Sequence, residues 1–376
     1  MDRLKKLSWM LIIFFIANTC LISGCKEPTS KSAVINLRFS TVYQSWSPGL
    51  TEGILPWVKW IEKQSGGRVK FTIYYDQSAL TVSEVLDGVK KRAVDMGEFR
   101  IDLYPGLFTL NSVTELPLLL DYPSSSSSGF VASALYNKYP ELQSEFEGVK
   151  FLCWNGGGPG EIFTTGKQIK TADDLKGLRL SVSGAYSSAA IKALGATPVS
   201  FDPGEDYGAL TKGFIDGIVG DYVFIKTVGF EPVLRYATEV GALSVTLDAY
   251  VMNLDVWNNL PADIQEIISA SSQRYMEAQG LTMDNREKSD RTALESTFLQ
   301  KGDPGIYILP DDQLDKWREV VTPVREMWMA DATAKVGEAK AKAILDDAIK
   351  FTKLYDENYS AEYAERVIQE WITATQ

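Results

Sequence analysis

The sequence predicts an α/β chain arranged as two lobes. Residues 160–222 alternate short β-branched or apolar runs with helix-length segments. The same order of elements occurs once before, over residues 35–99. The third strand opens alike in both copies, Ala93-Val94-Asp95-Met96-Gly97 against Phe214-Ile215-Asp216-Gly217. Strands this close together, with helices between them, imply βαβ crossovers and a parallel sheet. The likeness is one of architecture, not of close sequence repetition. Two such lobes in one exported chain imply a ligand cleft between them.

In the first lobe, residues 35–41, 69–75 and 94–99 read as strands, with residues 50–64 and 82–92 as the helices between them. In the second, the strands are 178–182, 197–201 and 215–219 and the helices about 186–194 and 204–212, with breaks at Gly184, Gly195 and Gly213. Asp202 before Pro203 marks a helix start, because an Asp side chain accepts the free N–H groups of a first turn. Between the two copies, the five-serine run 124–128 reads as a flexible loop, 131–147 as helix and 149–154 as a strand crossing to the second lobe. The glycine-rich run Asn155-Gly156-Gly157-Gly158-Pro159-Gly160 lacks the Lys-Ser/Thr of a phosphate-binding loop and reads as a hinge. Residues 242–252 return to the first lobe, and a long helix opening at Pro261 runs to about Met283. Residues 302–309 read as a further strand. Trp317, Val320, Val324 and Met327 form a core-facing helical stripe, and 335–353 is one more helix. The first lobe is thus expected to span 34–154 with about 247–287, and the second about 155–246 with 288–376.

The start of the chain reads as targeting. Lys5 and Lys6 precede an apolar run, 11–22, too short to be a good membrane span. Leu21-Ile22-Ser23-Gly24-Cys25 then resembles a bacterial lipoprotein box, so that 1–24 is a signal peptide, Cys25 the lipidated residue and 25–33 a tether. The expected location is outside the cytoplasm, anchored by lipid to the periplasmic or extracellular face of the membrane. Of the other cysteines, Cys20 leaves with the signal and Cys153 remains as a core thiol, so no internal disulfide is expected. The length of 376 residues suits two domains, and a net charge of −11 without a basic stripe excludes a nucleic-acid partner.

Catalysis has little to work with. The sequence has no histidine, no Gly-x-Ser-x-Gly elbow and no cluster with metal-ligand spacing, and Asp173-Asp174 reads as a helix cap. No enzyme, cofactor or metal is expected. Candidate binding residues sit where open α/β sheets take ligands, at strand C-terminal ends. Tyr43 and Trp46 follow the first strand; Trp46 either covers a ligand or packs on the next helix. Arg100 ends the third strand, as a cleft residue or a surface arginine. Gly220, Asp221 and Tyr222 end the matching strand of the second lobe, as site residues or as a turn with a packing tyrosine.

Several segments, in this order and spacing, carry a resemblance over nearly all of the mature chain. They are Ser65-Gly66-Gly67-Arg68-Val69, residues 93–97, Asp174-Leu175-Lys176-Gly177-Leu178 and Leu194-Gly195-Ala196-Thr197-Pro198-Val199. Tyr207-Gly208-Ala209-Leu210 leading to Asp216-Gly217, and Asn253, Trp257, Leu260-Pro261 and Gln265, complete the set. The chain resembles the solute-binding proteins, DctP type, of tripartite ATP-independent periplasmic (TRAP) transporters. The resemblance implies a two-lobed periplasmic-binding-protein fold (type II-like) with crossover strands and a long helix spanning both lobes. It also implies a monomeric receptor that delivers a small organic solute to TRAP permease subunits. A receptor that presents its ligand to a sensor kinase would have the same fold.

One position departs from the family pattern. The strand after Asp-Leu-Lys-Gly usually ends in an arginine that grips a ligand carboxylate, and here Ser181 occupies that place. Arg179 lies on the same side of the strand, at a position that is commonly basic and solvent-facing in the family. Two readings stand. Either the ligand is an acid held by Arg100, or it is neutral, zwitterionic or cationic. In the second case Glu161 or Asp221 meets its positive end, and Trp46, Phe99, Trp154 and Tyr222 are the near-site aromatics.

Overall fold

The computed structural model describes residues 33–375 except 105, 121–123, 202–203 and 359–360. The expected signal peptide, Cys25 and the expected helix start at Asp202-Pro203 lie outside the described residues. The strands in chain order are β1 (Ile35–Ser40), β2 (Val69–Tyr74), β3 (Met96–Arg100), β4 (Val149–Gly156), β5 (Glu161–Thr164) and β6 (Arg179–Ser181). They continue with β7 (Thr197–Val199), β8 (Gly217–Gly220), β9 (Tyr236–Glu239), β10 (Leu247–Asn253) and β11 (Tyr307–Ile308). The helices are α1 (Leu55–Gln64), α2 (Val85–Lys90), α3 (Ser125–Lys138), α4 (Pro140–Ser144), α5 (Ala185–Ala193), α6 (Asp206–Thr211) and α7 (Tyr222–Val228). After them come α8 (Leu254–Asn258), α9 (Ala262–Gln300), α10 (Asp311–Val320), α11 (Thr322–Val336), α12 (Glu338–Asn358) and α13 (Ala361–Thr375).

Two sheets result, ordered β2-β1-β3-β10-β4 and β11-β9-β5-β8-β6-β7. The repeated half of each is the same: β2-β1-β3 in one and β7-β6-β8 in the other, all parallel. The shared Asp-Gly signature has a physical cause in both. Asp95 accepts the Arg38 backbone N–H at 2.9 Å and its guanidinium at 3.0 and 3.1 Å. Asp216 accepts the Arg179 backbone N–H at 2.8 Å and its guanidinium at 3.0 and 3.0 Å. Each clamp ties the third strand of its lobe to the first. The glycine that follows each aspartate, two residues on at Gly97 and next to it at Gly217, is there for close approach: a Cβ on Gly97 would lie 2.4 Å from Val85, and one on Gly217 would lie 2.4 Å from the Phe163 carbonyl. The Arg179 guanidinium is therefore engaged by Asp216 within its own lobe.

The glycine run after β4 also serves close approach. Gly157 N–H donates to Thr246 O at 2.8 Å and Gly160 N–H to Ser244 O at 2.7 Å, so the two connections between the sheets pair with each other. A Cβ on Gly157 would meet Thr246 Oγ1 at 2.2 Å, and one on Gly160 would meet Ser244 Oγ at 2.1 Å. None of Gly156, Gly157, Gly158 and Gly160 has a positive φ.

Helix α9 spans both lobes. Tyr275, Met276 and Leu281 enter the core of the first sheet, where Trp57 stacks on Tyr275 with centroids 4.5 Å apart, and Leu294 and Phe298 enter that of the second. It runs 39 residues, roughly 58 Å at 1.5 Å per residue, well past Met283. The sequence hides this extension because apolar residues thin out where the flanks turn to solvent.

Two expectations need correction. The five-serine run is not a loop: Ser124 caps α3 by accepting the Ser127 N–H, and residues 125–128 form its first turn. Serine is a poor residue in the middle of a helix but a good one at its start, because its hydroxyl satisfies the free N–H groups there. Trp317 of α10 and Val324 of α11 pack in the second-lobe core, but the rest of the C-terminal segment does not stay with that lobe. Trp328 of α11 and Ile344 of α12 pack with Val131 and Leu135 of α3, and Val367 of α13 joins the first-sheet core. They cover an apolar face of the first lobe that would otherwise meet water.

Candidate functional site

A cavity of about 260 Å³ lies between the two sheets. Strand alternation decides what faces it. On β3, Glu98 and Arg100 face the cleft, so Phe99 between them turns inward and packs on Tyr104 and Phe108, with centroids at 5.1 and 5.4 Å. On β4, Asn155 faces the cleft and Trp154 is fully buried in the core. Asp248 of β10 lies opposite Arg100 on one side and Asn155 on the other.

Of the residues expected from sequence, Tyr43, Arg100, Ser181, Gly220 and Asp221 line the cleft. The others are placed elsewhere. Trp46 is 66% exposed on a turn outside the lining. Tyr222 points into the second core, edge-on to Phe163 at 5.2 Å, with its hydroxyl donating to Glu239 at 2.9 Å. Glu161 is buried with its carboxylate turned to the 240–241 turn, where it accepts the Val240 and Gly241 N–H groups at 2.5 and 3.3 Å. The space above Gly220 is taken by the Phe224 ring, 2.8 Å from where its Cβ would be. With Phe99 and Trp154 also in the core, none of the four named aromatics lines the cleft.

Three acids and an amide of the lining are not among the residues expected from sequence: Glu98, Asp206, Asp248 and Asn155. Glu98 carried a usable signal, since it stands two residues before Arg100 on the same strand and shares its face. Asp248 is masked by the apolar run of β10, Asn155 by the glycines that follow it, and Asp206 reads as an ordinary first-turn acid.

The polar groups form a connected set. Tyr43 O–H donates to Asp248 Oδ2 at 2.9 Å, and Asn155 Nδ2 donates to the Tyr43 hydroxyl at 3.1 Å and to Asp248 at 3.3 Å. Glu98 Oε2 accepts Thr41 Oγ1 at 2.7 Å and the Val42 N–H at 3.1 Å. Burial, reinforced by the charge of Asp248, pushes Glu98 up to about 8. Burial raises Asp248 too, against the pull of Arg100. In the second lobe, Asp206 accepts the Ser181 hydroxyl at 2.5 Å and Asp221 caps α7 by accepting the Phe224 N–H at 2.7 Å; burial raises both. Arg100 is already engaged. Its guanidinium forks onto Asp102 at 3.1 and 2.6 Å and donates across the cleft to Ser183 Oγ. Burial works against its charge, but Asp102 and Asp248 outweigh that and keep it protonated.

Four carboxylates therefore face one paired guanidinium, and no lysine is in the lining. Among the described residues, no group of three or more His, Cys, Asp or Glu is arranged to hold a metal, and no helix is long and apolar enough to cross a membrane.

These buried acids fix a pH dependence. Glu98 and Glu161 stand at about 8 and Glu287 at about 9, raised mainly by burial. The folded chain holds these protons to higher pH than the unfolded chain, whose carboxyls titrate near 4.3. The stability they confer is complete below that value and is lost as pH rises through 8 to 9. With no histidine, no imidazole titrates in the same window. The melting temperature of the ligand-free protein is expected to fall between about pH 6 and about pH 9; a rise over that interval contradicts the assignment.

Residues 39–331 match the family DctP, described as bacterial extracellular solute-binding protein, family 7. A solute-binding protein of Sulfitobacter sp. strain NAS-14.1 is 29% identical over 188 residues, 50% of this chain, which spans about half (54%) of that relative's length. The C4-dicarboxylate-binding periplasmic protein DctP of Rhodobacter capsulatus is 26% identical over 83% of this chain and 91% of its own. The crystal structure of a TRAP periplasmic solute-binding protein from Desulfovibrio salexigens, an open complex, superposes with a TM-score of 0.76 at 28% identity, covering 88% of this chain and 99% of that one. In sequence and in fold, this chain belongs to the DctP family, the solute-binding proteins of TRAP transporters.

Proposed function

We propose that the chain is an extracytoplasmic receptor that takes an amine-bearing organic solute into its cleft and delivers it to a TRAP permease. The observation that carries this reading is the charge of the lining: Glu98, Asp206, Asp221 and Asp248 against Arg100 alone, itself forked onto Asp102. An incoming carboxylate would meet four acidic groups and no free cation, whereas a cation would draw them into their charged forms. Ser181 supports the same direction, because its hydroxyl donates to Asp206 where the family's arginine would present a positive charge. Val82, Phe201 and Phe224 in the lining offer a surface for a hydrocarbon body. Acids stand on both walls, so one solute engages both lobes, and contact with both is what favours a closed state. The C4-dicarboxylate binder of Rhodobacter capsulatus takes an acid; the departure at Ser181 is the basis for a different class here.

Export and anchoring belong to the same proposal. The lipoprotein box at Cys25 tethers a monomeric receptor outside the cytoplasm, in keeping with the periplasmic location of DctP-type proteins. Cys25→Ser is expected to move the protein from the membrane fraction to the soluble fraction, and continued membrane association rejects the anchor.

The ligand class is tested by thermal shift against matched sets of amines and carboxylic acids. Amines at a hundredfold excess over Kd are expected to stabilise the fold by about 2.7 kcal/mol, acids not at all. Ser181→Arg, which places a guanidinium beside Asp206, is expected to weaken amine binding at least about tenfold. Stabilisation by acids alone would return the site to Arg100 and a carboxylate ligand.

A further inference from the structure

Within that receptor reading, on which this inference rests, we propose that Glu98, Asn155 and Asp248 form a subsite for a primary ammonium group. The three stand on adjacent strands of the first sheet. Asp248 is directly opposite Asn155, and Glu98 is two residues along β3 from Arg100, which also opposes Asp248. All three therefore share the face that lines the cleft.

Unmet hydrogen-bonding capacity identifies the guest. Glu98 and Asn155 are 0% and 3% exposed, yet Glu98 Oε1 and Asn155 Oδ1 have no partner. Their other atoms are committed. Glu98 Oε2 is held by Thr41 and Val42, and Asn155 Nδ2 donates to Tyr43 and Asp248. Those donations fix the orientation of the Asn155 amide, so its free atom is the carbonyl oxygen. The Tyr43 hydroxyl spends its one hydrogen on Asp248 and has none to offer Asn155. What remains is a pair of buried oxygens beside a carboxylate, and once Glu98 gives up the proton it holds to about 8, both are acceptors with no donor aimed at them. Buried acceptors are rarely left unmet in a folded protein.

A primary ammonium supplies what is missing. It brings three N–H donors and a positive charge in one compact group. A carboxylate brings only more acceptors. A quaternary ammonium matches the charge but has no N–H, and so would leave both orphan oxygens unsatisfied. Arg100 does not fill the role, because its fork is turned to Asp102 and Ser183.

The test is isothermal titration of the full chain with 2-phenylethylammonium, pentylammonium and 1,5-pentanediammonium, each against its N-trimethylated counterpart, with phenylacetate as the acid arm. At least one primary amine is expected to bind about a hundredfold tighter than its trimethylated form, two lost charge-assisted hydrogen bonds being worth that ratio. In Glu98→Gln the amide oxygen can keep the Thr41 and Val42 bonds while its NH₂ faces the guest, and a loss of at least tenfold is expected. Asn155→Ala is expected to weaken binding about tenfold. Equal or tighter binding of the trimethylated forms overturns the subsite and leaves the cation receptor standing, as does unchanged affinity in Glu98→Gln. Binding of phenylacetate with no primary amine bound overturns both, and absence of binding by every primary amine overturns the subsite. The methylation comparison uses the unaltered chain, so it decides the matter even where a variant does not fold.

Discussion

Acidic groups buried in one cleft lose the water that would stabilise their charge, and the character of this site follows from how that cost is met. Glu98 and Asp248 are diagonal neighbours on β3 and β10, and Asp206 and Asp221 line the cleft from the second lobe. A proton meets that cost at Glu98, which burial, reinforced by the charge of Asp248, holds at about 8. In the proposed receptor a bound cation would meet it too, pairing with the charges and the orphan oxygens together. Ligand entry and proton loss are then two sides of one exchange. A receptor built this way is poised to be stabilised by its solute, and the acids on its two walls give that solute a reason to hold both lobes together.

The scaffold keeps these groups in place by a device used twice. Arg38–Asp95 and Arg179–Asp216 are the same clamp, an aspartate at the start of the third strand accepting both a backbone N–H and a guanidinium from the first strand. The clamps sit at the opposite end of their strands from the cleft, so the C-terminal ends are free to carry Arg100 in one lobe and Asp221 in the other. The two connections that pair at Gly157–Thr246 and Gly160–Ser244 hold the sheets at a separation that only glycine permits.

Much of this was legible in the sequence. The repeated strand–helix order and the twin Asp-Gly signatures predicted two copies of one topology, and β2-β1-β3 and β7-β6-β8 are those copies. The replacement of the family's arginine by Ser181 was equally visible. The site was harder, because strand ends were read as positions and not as faces. Alternation puts Arg100 in the cleft and Phe99 in the core, and by the same rule it brings in Glu98, which was passed over. Asp248 arrives from 148 residues beyond Arg100 in an antiparallel partner strand, and nothing local announces that pairing. The serines at 124–128 read as a flexible loop because composition does not distinguish a loop from a capped first turn. Helices α12 and α13 follow the second lobe in sequence but pack on the first, α12 against the apolar face of α3 and α13 against the first-sheet core.

The most direct measurement is mass spectrometry of whatever solute the native protein carries when it is isolated gently from its own cells and then denatured. A cleft lined by four carboxylates and one paired guanidinium predicts a released molecule with a basic nitrogen, positively charged at neutral pH. Release of a carboxylic acid without an amine would contradict the account and show that the acids of the cleft are bystanders to an anion held at Arg100.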